Sequence, residues 1–257
     1  MFSSSIVSKK YNNKRLDQFL VGMGIVKSRQ RAVSLIMSGN VYITGEKIDK
    51  PGRLIKNKQI IRIKKNDNPW VSRGGLKLAK AIENFKINVA GKVCADLGCS
   101  TGGFSEVLLK NGAKKIFAID VGYGQFDWRL RNSKNIILLE RTNAKFVNSK
   151  VITELVDLLV CDVSFISLKK VILPFKSLLK EKFEIVALIK PQFEASKELV
   201  GKKGIIKNEK IHKDICVNIN SWFVENFSPD FIEIIESPIL GQKGNKEFLI
   251  YLKKANY

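Results

Sequence analysis

The apolar run Lys92-Val93-Cys94-Ala95 passes directly into Asp96-Leu97-Gly98-Cys99-Ser100-Thr101-Gly102-Gly103. A strand that ends in an acid and breaks into a glycine-rich turn before a helix is a nucleotide-cofactor loop of an α/β sheet. A phosphate cradle offers backbone N–H groups and a helix N-terminus to an anion, which a carboxylate opening the loop would repel. Asp96 favours a cation instead, such as the ammonium or sulfonium of S-adenosylmethionine. Asp96, Gly98, Ser100, Gly102, Gly103 and Phe104 are the cofactor-binding candidates of this loop. A plain strand–turn–helix would show the same glycines, so the neighbouring segments must arbitrate.

Those segments alternate. Lys92–Leu97, Lys115–Asp120, Ile136–Leu139, Leu155–Cys161 and Glu184–Ile189 are apolar on both faces and rich in β-branched residues. Such strands build a parallel sheet with helices on each side. After a helix around Lys210–Phe227, the runs Phe231–Glu236 and Phe248–Leu252 are spaced to form a hairpin. The fold class is therefore α/β, a Rossmann-like doubly wound sheet with an antiparallel last strand. Ligands of such sheets bind at the carboxyl ends of the strands, where this sequence places Asp96, Asp120, Asn143, Asp162 and Lys190. Asp120 can accept both ribose hydroxyls of a nucleoside. Asn143 can meet an adenine edge, or can be a turn residue.

The residues after the fourth strand, Asp162-Val163-Ser164-Phe165, lack the Pro-Pro-aromatic clamp of enzymes that methylate exocyclic base nitrogens. None of Cys94, Cys99, Cys161 and Cys216 has a nucleophile's setting or a CxxC spacing. They read as buried free thiols of a reducing cytoplasm, with no zinc or disulfide framework. The single histidine, His212, falls in a helical segment and reads as a satisfied surface or capping residue. Lysine and carboxylate chemistry remains. Lys190 follows five apolar residues, and an amine in a partly dry cleft beside a second cation is disposed to accept a hydroxyl proton. Lys77 can supply that cation, and Asp162 and Glu247 can orient the pair. Each also has a plainer reading as a helix-surface or strand-end charge.

Charge supplies the second constraint. Of a formal net charge of +21, residues 1–70 carry +11, with 15 Lys and Arg against 4 Asp and Glu. A basic excess suits a phosphate backbone, although solvated lysine-rich faces give the same count. Two short helices, one through Leu16, Phe19, Leu20 and Met23 and one capped by Ser28, precede the β-type runs Val41–Ile43 and Ile60–Ile63. Arg15-Leu16-Asp17-Gln18-Phe19-Leu20, Lys27-Ser28-Arg29-Gln30-Arg31-Ala32 and Ser38-Gly39-Asn40-Val41 resemble an S4-type RNA-binding domain. That resemblance implies RNA contacts at Arg15, Lys27, Ser28, Arg29 and Arg31. A hydroxyl and cations at a helix N-terminus suit phosphate. Arg29 and Arg31 also fit a solvated helix face.

A wider resemblance joins the two halves. Ser72-Arg73-Gly74-Gly75-Leu76-Lys77-Leu78, the loop at 96–103, Asp120-Val121-Gly122-Tyr123-Gly124-Gln125, Glu140-Arg141-Thr142-Asn143, Asp162-Val163-Ser164-Phe165, Lys190-Pro191-Gln192-Phe193-Glu194 and Gly244-Asn245-Lys246-Glu247-Phe248 are similar to the TlyA (haemolysin A) family. The match runs from about Arg15 to Leu252. It implies an S4-like domain at 13–65, a linker at 66–71 resembling the family's tryptophan-containing one, and an FtsJ/RrmJ-type methyltransferase domain at 72–257. The implied activity is S-adenosylmethionine-dependent 2′-O-methylation of ribosomal RNA, with cytidine the family's usual target. Its Lys-Asp-Lys-Glu tetrad falls on Lys77, Asp162, Lys190 and Glu247, with Asp96, Asp120, Asn143 and Asp162 toward the cofactor. The implied scheme needs no metal, obligate protein partner or membrane, and places the protein in the cytoplasm. A non-catalytic ribosome assembly factor and a haemolysin stay as alternatives. No apolar stretch approaches the roughly 20 residues of a membrane span, which weighs against the second.

Overall fold

A computed structural model describes residues 2–26, 28–37, 39–64, 68–201, 204–241 and 244–255, apart from the side chains of residues 34 and 197. Lys27, and residues 66 and 67 of the expected linker, lie outside them. The chain divides into two compact units, Met1–Pro69 and Trp70–Tyr257.

The first unit contains β1 (Phe2–Ile6), α1 (Leu16–Gly22), α2 (Arg29–Met37), β2 (Val41–Ile43), β3 (Glu46–Ile48) and β4 (Ile60–Lys64). Its sheet runs β1-β4-β2-β3, antiparallel at every pairing. The two helices bury Leu16, Phe19, Leu20, Ala32 and Ile36 against Val41, Ile43, Ile61 and Ile63. This unit reaches further back than the expected residue 13. β1 pairs along its whole length with β4, although Ser3, Ser4 and Ser5 give it no strand-like apolar pattern. Backbone hydrogen bonding at a sheet edge needs no such pattern.

The second unit contains α3 (Gly74–Phe85), β5 (Val93–Leu97), α4 (Gly103–Lys110), β6 (Lys115–Ile119), α5 (Trp128–Arg131), β7 (Ile136–Leu139), β8 (Val156–Cys161), α6 (Leu168–Phe175), β9 (Leu179–Ile189), α7 (Pro191–Glu194), α8 (Glu209–Phe227), β10 (Phe231–Glu236) and β11 (Phe248–Lys254). The sheet order is β10-β11-β9-β8-β5-β6-β7. β5 to β9 pair in parallel, and β11 runs antiparallel to both β9 and β10. Alternate strand residues enter two cores. Ala95, Leu97, Leu159, Cys161, Ala187 and Ile189 pack toward α6 and α8. Cys94, Leu158, Val160, Val186 and Leu188 pack toward α3 and α4. Both faces are dry, which explains why these strands read as unbroken apolar runs.

Trp70 and Val71, expected as linker, belong to the second unit. A Cβ on Gly75 would strike the Trp70 ring, and the Val71 N–H donates to Glu106 Oε2 at 2.6 Å. Among the described residues no helix is long and apolar enough to cross a membrane. Cys94, Cys99 and Cys161 are buried free thiols and Cys216 is half-buried. Burial raises the thiol pKa values, to about 12 at Cys94 and about 11 at Cys216. His212 is not at the surface. It is buried in α8, with Nε2 3.0 Å from the Ile206 carbonyl oxygen and its ring edge-on to Phe248.

Candidate active site

The strand order reverses between β8 and β5, and such a switch point opens a crevice beyond the carboxyl ends of the strands. Two adjoining hollows occupy it, of about 470 and 490 Å³, sharing Gly98, Ser100, Asp162, Ser164 and Phe165. Both fall within the size range of small-ligand sites.

The first hollow collects Lys77, Asp162, Lys190 and Glu247 from four separate stretches of chain. Lys77 projects from the first turn of α3, Asp162 follows β8, Lys190 follows β9, and Glu247 precedes β11. Lys190 Nζ lies 2.6 Å from Asp162 Oδ1, and Lys77 Nζ lies 3.4 Å from Asp162 Oδ2 and 2.8 Å from Glu247 Oε2. Lys190 Nζ also donates to Ser164 Oγ at 2.8 Å. The lysines are 8% and 7% exposed and Glu247 is 3% exposed. Buried charges persist only when paired, and here two cations and two anions form a neutral chain. The Phe165 ring is 88% exposed and stands 4.9 Å from that of Phe193, so the pair makes an aromatic lip to this hollow.

The second hollow is lined by Gly98, Ser100, Asp120, Gln125 and Asn143. Asp120 Oδ2 accepts from the Ser100 N–H at 2.8 Å and Oδ1 from the Gly122 N–H at 2.7 Å. A carboxylate has roughly four acceptor positions, so each oxygen keeps capacity for a diol. Gly98 sits at φ +82°, and a Cβ there would lie 2.8 Å from the Asp162 carbonyl oxygen. Only glycine lets the loop approach the β8 exit this closely. Asn143 is half turn residue: its Oδ1 accepts from the Lys145 N–H at 3.0 Å while the residue lines the hollow.

The remaining loop residues divide. Gly103 and Phe104 line the first hollow. Gly102 lines neither; a Cβ there would press on Leu130 and Phe126. Asp96 lies beneath the loop, wholly buried, on the strand face that meets α4. Its Oδ2 accepts from Ser105 Oγ at 2.6 Å, and Oδ1 has no hydrogen-bond partner among the described residues. Desolvation pushes its pKa up to about 7. The attraction for a cation inferred from the loop's opening acid therefore rests on Asp120 and Asp162, which do face the second hollow. Ser164, Phe165, Gln192 and Phe193 were not singled out from sequence. Their adjacency to Asp162 and Lys190 was the available signal.

In the first unit Asp17 is wholly buried, and Arg15 and Arg29 both bond to its carboxylate. Ser28 Oγ accepts from the Arg31 N–H at 3.3 Å, and Ser28, Arg29 and Arg31 are exposed at the start of α2.

Residues 70–254 match the model of the FtsJ-like methyltransferase family, and residues 14–61 match that of the S4 domain. The 16S/23S rRNA (cytidine-2′-O)-methyltransferase TlyA of Mycobacterium tuberculosis is 39% identical, across 93% of this chain and 89% of its own. YqxC of Bacillus subtilis, named as a candidate rRNA methyltransferase, is 41% identical across 96% of this chain and 87% of its own. A solved structure from Streptococcus thermophilus, named as a candidate hemolysin, superposes with a TM-score of 0.73 at 36% identity, covering 96% of this chain and 90% of that one.

Proposed function

The chain belongs to the FtsJ-like methyltransferase family, with an S4 domain ahead of the catalytic one, and we propose that it methylates a ribose 2′-hydroxyl of ribosomal RNA. The observation that carries this reading is the neutral chain of Glu247, Lys77, Asp162 and Lys190 lining a hollow that adjoins the diol-accepting Asp120. Cys99 lines the first hollow, but burial raises its thiol pKa, as it does for the other three cysteines, which disfavours the nucleophilic thiolate. A hydroxyl acceptor needs a proton acceptor and a cation for the developing oxyanion, and two lysines offer both. TlyA relatives named as cytidine-2′-O-methyltransferases make cytidine the proposed nucleotide.

Lys190, steadied by Asp162 and Ser164, first releases its ammonium proton to solvent through the open hollow and then, as the amine, takes the proton of the attacking hydroxyl. Lys77, held by Glu247 and Asp162, meets the charge developing on that oxygen. Asp162 touches both lysines and sets their separation, and the aromatic lip of Phe165 and Phe193 offers a face on which a base can stack. Asp120, Asn143 and the loop from Gly98 to Phe104 would hold S-adenosylmethionine, which when bound supplies an electrophilic methyl group. Asp96 supports that loop from beneath through Ser105. Positioning of the hydroxyl supplies much of the acceleration. The RNA is held by the S4 domain through Arg15, Lys27, Ser28, Arg29 and Arg31, so affinity is salt-dependent.

The test is tritium transfer from labelled S-adenosylmethionine to ribosomal RNA, offered as naked RNA and as each subunit. A 2′-O-methyl group blocks alkaline cleavage of the adjacent phosphodiester, so the label belongs in alkali-resistant dinucleotides. Label in alkali-released mononucleotides overturns the ribose assignment. Tight subunit binding with no transfer to any substrate would make the protein an assembly factor.

A further inference from the structure

Asp17 is a charged side chain with 0% exposure in a strongly basic unit. Its surroundings account for it. Oδ1 accepts from Arg15 Nε at 3.0 Å and from the Gln18 N–H at 2.9 Å. Oδ2 accepts from Arg15 Nη2 at 2.9 Å and from Arg29 Nε at 3.1 Å. All four acceptor positions of the carboxylate are thus used, and the bonds from Arg15 hold its pKa below the usual value. The two arginines come from different elements, the entry to α1 and the first turn of α2. Both stay open to solvent, with side chains 42% and 62% exposed. Arg29 keeps both Nη groups, and Arg15 keeps Nη1, outside this pairing. Arg15 lies over Gly52, where a Cβ would come within 3.0 Å of Nη1.

We propose that Asp17 is a positioning residue for RNA recognition, a buried carboxylate that clamps the guanidinium groups of Arg15 and Arg29 into one fixed, outward-facing phosphate fork. The inference rests on the RNA-binding reading of residues 14–61. A free arginine loses much side-chain entropy when it grips a phosphate. Two arginines already braced on one anchor have lost most of it beforehand, and such preorganisation appears as affinity. The trio keeps a net charge of +1, so attraction to RNA survives the carboxylate's presence.

The expected effect of losing the carboxylate is opposite in sign to simple electrostatics. Asp17→Asn removes a negative charge from the RNA-facing surface, so charge alone would tighten binding. The clamp predicts roughly tenfold weaker binding. Full-length protein is titrated with ribosomal subunits purified from a bacterium lacking this enzyme family, and methyl transfer is followed in parallel. KM for the subunit should rise about tenfold while kcat at saturating subunit and S-adenosylhomocysteine affinity stay at wild-type values. Adding Arg29→Ala to Asp17→Asn should then cost less than Arg29→Ala alone. Gly52→Ala, which crowds Arg15 without touching the carboxylate, should raise KM in the same way. It serves where Asp17→Asn fails to fold. Unchanged or tighter binding by a folded Asp17→Asn protein overturns the clamp. If Arg15→Ala and Arg29→Ala themselves leave KM unchanged, the RNA-binding reading fails, and the clamp with it.

Discussion

Lys190→Ala separates catalysis from folding. It removes an ammonium 2.6 Å from Asp162 Oδ1 and 2.8 Å from Ser164 Oγ. A positioned proton acceptor contributes about 10²- to 10⁴-fold, so kcat should fall about 10³-fold. KM for RNA, governed by the basic first unit, should move less than about threefold. The neutral chain becomes net −1. Breaking a fully buried pair costs about 3–5 kcal/mol. Here Lys77 stays 3.4 Å from Asp162, whose side chain keeps 16% exposure, so about 2 kcal/mol is the better figure. In a domain of this size that lowers Tm by about 4–8 °C, leaving the protein folded at 25 °C. The assays are tritium transfer at saturating RNA and thermal melting by circular dichroism. The void opens on the 470 Å³ hollow, so ethylamine should restore activity in a concentration-dependent way. A folded Lys190→Ala protein that keeps transfer within about tenfold of wild type refutes the role given to this lysine.

Three further outcomes follow from the geometry. Asp120→Ala removes acceptors of the Ser100 and Gly122 N–H groups together with the diol's partner. S-adenosylhomocysteine affinity, read by calorimetry, should fall roughly 30- to 150-fold, as for about 2–3 kcal/mol of charge-assisted hydrogen bonding; unchanged affinity would place the cofactor elsewhere. Asp96, whose pKa burial pushes up to about 7, keeps a proton in the fold that the unfolded chain releases near pH 4. Its contribution is fully present below about pH 4, is lost as pH rises to about 7, and is flat above. Denaturant titrations at pH 5 and 8 should therefore show wild type losing stability relative to Asp96→Asn, and equal pH slopes for the two proteins would contradict this. Gly98→Ala forces a side chain onto φ +82° and to 2.8 Å from the Asp162 carbonyl. It should cost on the order of 1–3 kcal/mol and activity beyond that, and an unchanged Tm would show that the loop yields freely.

Much of the fold could be read from the chain because each parallel strand is covered on both faces, and a strand with no polar face leaves an unbroken apolar run. The strand-end residues Asp120, Asp162 and Lys190 were recognisable for the same reason, since the run stops where the ligand crevice begins. β1 was invisible because three serines mask a strand held largely by backbone pairing to β4. Asp96 misled because an acid at a strand end looks ligand-facing. Alternation along β5 puts it on the face of Cys94, under α4, where Ser105 receives it.

The sequence by itself determined the order of the parallel strands and the closing hairpin, the surplus of positive charge in the first 70 residues and which residue types stand at the strand ends. Those are properties of local pattern and composition, and local pattern survives without a third dimension. Tertiary structure alone decided that Lys77 and Glu247, 170 residues apart in sequence, stand 2.8 Å from one another. It alone turned Asp17, one acid among many cations, into a shared anchor for Arg15 and Arg29. Charge pairing acts over a few ångströms and is indifferent to distance along the chain, so only the packed fold can reveal which charges meet.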